Sequence, residues 1–100
     1  MRRLDRASDA ALGRVASLLR AGSHPTRLRV LARFQAGDRS PAEVARSLGT
    51  SLPSITYHVH ALADAGLLEE DGASPVRGAV EHFYRPTSDA KKLLDVIERL

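Results

Sequence analysis

Residues 47–70 read "SLGTSLPSITYHVHALADAGLLEE", and the fold turns on them. An apolar segment stops at Gly49, resumes as a helical pattern carrying Tyr57, His58 and His60, and stops again at Gly66. Ser51 is placed to cap the second segment, and Pro53 suits its first turn, where the N–H it lacks would be unpaired anyway. A helix is therefore expected over 51–65. On a wheel of about 100° per residue, Ile55, Val59 and Leu62 cluster on one side, with Leu52 and His58 at the margin. Pro53, Tyr57 and His60 point the opposite way, flanked by Ser54 and Thr56. Small hydroxyls, a phenol and an imidazole near a helix start suit insertion into a DNA major groove. His58, turned toward the core edge, is expected to be a structural imidazole bonded to backbone.

Immediately upstream, "GDRSPAEVARSLG" (37–49) predicts a shorter helix. Ser40 is its N-cap, Pro41 its first residue, and Glu43 follows three positions later as in a capping box. Two helices joined by a glycine-containing turn have the shape of a helix-turn-helix. Ala45 must be small where the second helix crosses. Gly49 must turn left-handed, which costs a side chain about 1 kcal/mol. Ile55 must be apolar to lock the pair. The spacing Ala45-x3-Gly49-x5-Ile55, with Val44 and Leu48 facing the core, meets all three requirements.

Three more helices flank this pair. Leu4, Leu12, Val15, Leu18 and Leu19 recur at helical spacing over about 5–20. "SHPTRLRVLARFQAG" (23–37) places Pro25 in a first turn, Leu28, Leu31 and Ala32 on an inward stripe beside Val30 and Phe34, and Gly37 at the stop. Arg27, Arg29 and Arg33 lie off that stripe, as a solvated face or as phosphate contacts. "TSDAKKLLDVIERL" (87–100) is a last helix capped by Thr87 or Ser88, with Leu93, Leu94, Ile97 and Leu100 on one stripe. Between them, residues 67–71 and 80–85 predict two strands around a loop, "GASPVRG". Val80, His82 and Tyr84 share one face of the second strand, and Glu81, Phe83 and Arg85 the other. The expected class is mainly α with a small β-hairpin, in the order α-α-α-α-β-β-α.

One hundred residues suffice for one domain, here 1–100. No apolar run approaches the ~20 residues of a membrane span, and "MRRLDRAS" lacks the apolar core of a secretory signal, so cytoplasmic residence is expected. The absence of cysteine excludes disulfides, thiolate metal sites and cysteine nucleophiles. Net charge is +3, carried mostly by arginine, which favours phosphate-bearing partners. Nothing resembles a nucleophile turn, a phosphate-cradling glycine loop or a carboxylate pair, so the chain is not expected to be an enzyme and no cofactor is implied. His58 and His60, two apart on a helix, face different ways and make a poor metal pair.

The stretch "HPTRLRVLARF…SPAEVARSLGTSLPSITYHVHALADAGLLEE…EHFYRPT" resembles the ArsR-type winged helix-turn-helix transcriptional regulators over residues 23–87. The resemblance implies a homodimer that reads a pseudo-palindromic operator in double-stranded DNA with helix 51–65. The hairpin would be a wing on backbone or minor groove. The segments 1–21 and 87–100 would be flanking dimerisation helices, through Leu4, Leu12, Val15, Leu19, Leu93, Leu94, Ile97 and Leu100.

DNA contacts are then expected from Ser51, Pro53, Ser54, Thr56, Tyr57 and His60. Arg39 and Ser40 would add contacts at the start of the preceding helix, where free N–H groups hold phosphate. Arg77 and Arg85 would supply them from the wing. The chain departs from the family in two places. Its wing opens with three acids, Glu69, Glu70 and Asp71, and the cysteine sensor motif is missing from "AEVARSLG". Two other readings stay open: a winged-helix module that binds protein instead of DNA, supported by the acidic wing and the low net charge, and a metal-responsive regulator using histidine and carboxylate ligands. No residue pattern names a small-molecule effector.

Overall fold

The computed structural model describes residues 24–100, together with Ala10, Gly13 and Arg20. Within residues 24–100, four helices and a two-stranded hairpin follow in order: α1 (Pro25–Gln35), α2 (Pro41–Leu48), α3 (Leu52–Asp64), β1 (Leu68–Val76), β2 (Ala79–Pro86) and α4 (Ser88–Glu98). The helix expected over 5–20, with Leu4, Leu12, Val15, Leu18 and Leu19, lies outside the described residues. Among those that are described, no helix is long and apolar enough to cross a membrane.

Local chemistry starts and stops these elements. The Glu43 N–H donates to Ser40 Oγ at 3.2 Å, and Glu43 Oε2 accepts the Arg39 N–H at 2.8 Å, so two N–H groups at the start of α2 are satisfied. At the far end Gly49 takes φ +63°, and the Thr50 N–H reaches back to the Ala45 carbonyl at 3.1 Å. This closing bond needs the left-handed residue between its ends, which is why glycine sits there. Ser51 Oγ caps α3 by accepting the Ser54 N–H.

Thr87 caps α4 and ties it to the wing base. Its Oγ1 accepts the Ala90 N–H and donates to the Gly66 carbonyl at 2.7 Å, while its own N–H donates to the Leu67 carbonyl. Tyr84 N–H donates to the Arg39 carbonyl at 2.8 Å, which fixes β2 against the entry to α2.

The core joins Val30, Leu31 and Phe34 of α1 to Val44 and Ala45 of α2, and Ile55, Val59 and Leu62 of α3. Leu67, Leu68, Tyr84, Ala90 and Leu94 complete it. Ala45 and Ile55 are both buried, as the crossing of the two helices requires. Ala32 is exposed, not inward as the sequence suggests. The buried stripe runs through 30, 31 and 34, and residue 32 lies about 200° round the helix from 30. Leu94 also departs from expectation. It is buried in its own domain and so is withdrawn from any partner, while Val96, outside the expected set, is exposed beside half-buried Leu93 and Ile97.

The hairpin is longer than the sequence suggests. β1 continues through "GASPV" to Val76, and only Arg77 and Gly78 turn the chain. A bulge explains the difference: Glu70 pairs with Tyr84 and Ala73 with His82, so Asp71 and Gly72 together oppose Phe83. Pro75 is accommodated because each strand of a two-stranded ribbon is an edge.

Candidate nucleic-acid interface

The face of α3 opposite the core is the candidate reading surface. Ile55, Val59 and Leu62 are fully buried, and His58 is 6% exposed. Tyr57 is 66% exposed, and Ser51, Pro53 and His60 are exposed with it, while Ser54 and Thr56 are half-buried. The phenol and the second imidazole therefore project outward together from a helix anchored on its other side. Leu52, Thr56 and His60, at successive i+4 positions, border a groove of about 330 Å³ whose far wall is Val76, Val80 and His82 of the wing.

Around this face the arginines divide into engaged and available groups. Arg33 Nε contacts Asp38 Oδ2 at 2.9 Å, and Ser47 Oγ donates to the same carboxylate oxygen at 2.8 Å. The Arg33 bond holds Asp38 below the usual carboxylate range against the opposing effect of burial, and Asp38 in turn raises Arg33. Arg33 is thereby a tie between the end of α1 and α2 rather than a phosphate contact.

Arg85 is likewise engaged. Its Nε contacts Glu69 at 2.9 Å and its Nη1 contacts Asp71 at 3.4 Å, so the acids of the wing neutralise the arginine expected to grip DNA. Its pKa is raised by the same Glu69 bond and charge. Ser40 is also corrected: it is 0% exposed and its oxygen caps α2, so it offers DNA no hydroxyl. Arg39 is exposed, with its guanidinium 4.5 Å from the Phe83 ring centroid. Arg77 is exposed at the wing tip, and Arg29 on α1.

A Helix-turn-helix domain family model matches residues 23–71. The fold is shared with a homodimeric winged helix-turn-helix DNA-binding domain from Mycobacterium bovis, described as a possible ArsR-family transcriptional regulator. That domain is 25% identical over 92% of this chain and 84% of its own, with a TM-score of 0.76. An ArsR-like transcriptional regulator from Rhodococcus sp. RHA1 is 27% identical over 90% and 81% of the two chains, with a TM-score of 0.65. The transcriptional repressor BigR from Xylella fastidiosa is 27% identical over 95% and 88%, with a TM-score of 0.69. No curated protein matches the chain. The chain has the winged helix-turn-helix fold of these regulators.

The winged-helix frame also holds a cluster that sequence reading did not assemble. His58 is bonded not to backbone but to a side chain: Arg27 Nε donates to His58 Nδ1 at 3.4 Å. The His24 ring meets His58 edge-on with centroids 4.8 Å apart, and the Tyr57 ring does so at 5.5 Å. Burial first, then the charges of His24 and Arg27, push the His58 pKa below the ordinary histidine value, which keeps the imidazole a neutral acceptor. The partners are 31 residues apart in sequence, and no local pattern signals such a pair. Among the described residues, no group of three histidines, cysteines or carboxylates is arranged to hold a metal ion. His82 instead lies 3.8 Å from Glu70.

Proposed function

We propose that the chain is a homodimeric, sequence-specific DNA-binding transcriptional regulator in which α3 enters the major groove of a pseudo-palindromic operator. One observation carries the reading: Tyr57 and His60 project into solvent from a helix whose opposite face is sealed into the core. Ser51, Pro53, Ser54 and Thr56 complete the reading face, Arg39 and Arg77 supply phosphate contacts, and the exposed side of α4 joins two copies. The M. bovis relative, homodimeric and DNA-binding, supports this reading. Phosphate contacts set affinity and its salt dependence, whereas side chains on base edges set sequence preference.

The deciding experiment is selection of duplex DNA from a random or genomic pool by the full chain. Enriched sequences with two-fold symmetry and half-sites about one helical turn apart are expected. No enrichment, and no retardation of duplexes at micromolar protein in low salt, would overturn the reading. That result would favour a protein-binding module, for which the acids Glu69 and Asp71 around Arg85 are the supporting feature.

A further inference from the structure

Tyr57 is exposed and has two side-chain torsions to fix before it can read a base. Its neighbours one turn away on α3 are Pro53, Ser54, His60 and Ala61, which include no long apolar side chain to hold the ring. The ring's contacts come from elsewhere. The Arg27 guanidinium carbon lies 5.8 Å from the Tyr57 centroid, within reach of a cation–π attraction, and the His58 ring abuts Tyr57 edge-on. Arg27 is half-buried on α1, and its Nε is directed at the buried His58 nitrogen. One guanidinium thus links the core side of α3 to its outer side.

We infer that Arg27 is a positioning residue for DNA recognition: anchored on His58, it holds the Tyr57 ring in its reading orientation, so sequence discrimination depends on it more than general DNA affinity does. This rests on the DNA-binding reading above. A guanidinium that merely touched phosphate would behave differently, because its loss weakens all duplexes alike and makes the log–log salt slope shallower by about one unit.

The experiment compares wild type, Arg27→Gln and Arg27→Lys on two duplexes, one enriched by the wild-type chain from a random pool and one of scrambled sequence. Both variants should lose about tenfold in affinity for the enriched duplex, with the scrambled duplex and the salt slope unchanged. Lysine restores charge but not the planar Nε donor, so it should not rescue. In a Tyr57→Ala background, Arg27→Gln should add less than about twofold, because its effect passes through the ring. In DNA-free protein, side-chain couplings of Tyr57 should shift toward rotamer averaging in Arg27→Gln.

Equal losses on both duplexes with a shallower slope, additivity with Tyr57→Ala, or unchanged discrimination would each overturn the inference. A wild-type chain that enriches no duplex overturns the DNA reading itself and this inference with it.

Discussion

Arg77 stands at φ +48° directly before Gly78 at φ +82°, so both central residues of the wing-tip turn are left-handed. A two-residue hairpin turn of this kind matches the twist of its strands but favours asparagine and glycine. An arginine held there costs on the order of 1 kcal/mol, and strain of this sort tends to persist where the side chain is used. Arg77→Asn should raise the thermal midpoint of the protein, and should lower affinity for the enriched duplex with a salt slope shallower by about one unit. A stabilised variant with undiminished DNA affinity and slope would remove Arg77 from the interface.

Tyr57→Ala and His60→Ala remove exposed side chains, and so should change stability by no more than about 0.5 kcal/mol each. Affinity for the enriched duplex should fall by about 1–3 kcal/mol for each, the range of a single base-edge contact. Fluorescence anisotropy and thermal melts on the same samples check both parts. Wild-type affinity in both variants would take the outer face of α3 out of recognition.

The residues that could be placed from sequence are those whose role is settled within one helical turn. Ser40, Ser51 and Thr87 cap because a hydroxyl reaches an N–H three residues on, and Gly49 turns because a side chain there is strained. Ile55, Val59 and Leu62 followed from helical period alone. What escaped depends on elements meeting in space. Arg85 looked available until the hairpin register brought Glu69 directly opposite it. Arg33 and Ser47 share Asp38 only because α1 and α2 converge there. The wing tip was misread because the bulge at Asp71 and Gly72 carries the strand through a stretch whose glycine and proline resemble a loop.

His58 makes stability depend on pH in a definite direction. Its folded pKa lies below the ordinary value of 6.5, so the unfolded chain takes up the proton more readily. The contribution is full above that value and is lost as pH falls from it toward the folded pKa. The thermal midpoint should therefore drop between about pH 7.5 and pH 5.5, and His58→Gln should flatten that part of the profile. Asp38, the other group whose pKa is lowered, is held below its ordinary 3.8 by the Arg33 bond, and Arg33 and Arg85 are raised from an already basic value, so all three leave this window clear. A wild-type midpoint constant across the window would show that protonating His58 does not oppose folding, and an equal drop in His58→Gln would show that the proton is taken up elsewhere.

The proposed dimer makes its own demand on α4. Leu93, Val96, Ile97 and Leu100 fall at helical spacing on one side, and Val96 and Leu100 are 56% and 99% exposed. Leu94 is already engaged in the core, so a charge placed at residue 94 would unfold the domain and test nothing about association. Val96→Glu with Leu100→Glu instead places charge only where solvent now reaches, and the melt of the isolated domain should change little. Sedimentation equilibrium should show wild type at twice the 10.8 kDa of one chain and the double variant at that mass. Because joining two reading heads makes the second contact intramolecular, the monomer should bind the two-half-site duplex about a hundredfold more weakly, while its affinity for a single half-site stays the same. If the double variant still sediments as a dimer, the subunits meet through another surface, and if it dissociates without losing affinity for the paired sites, DNA is read by one copy at a time.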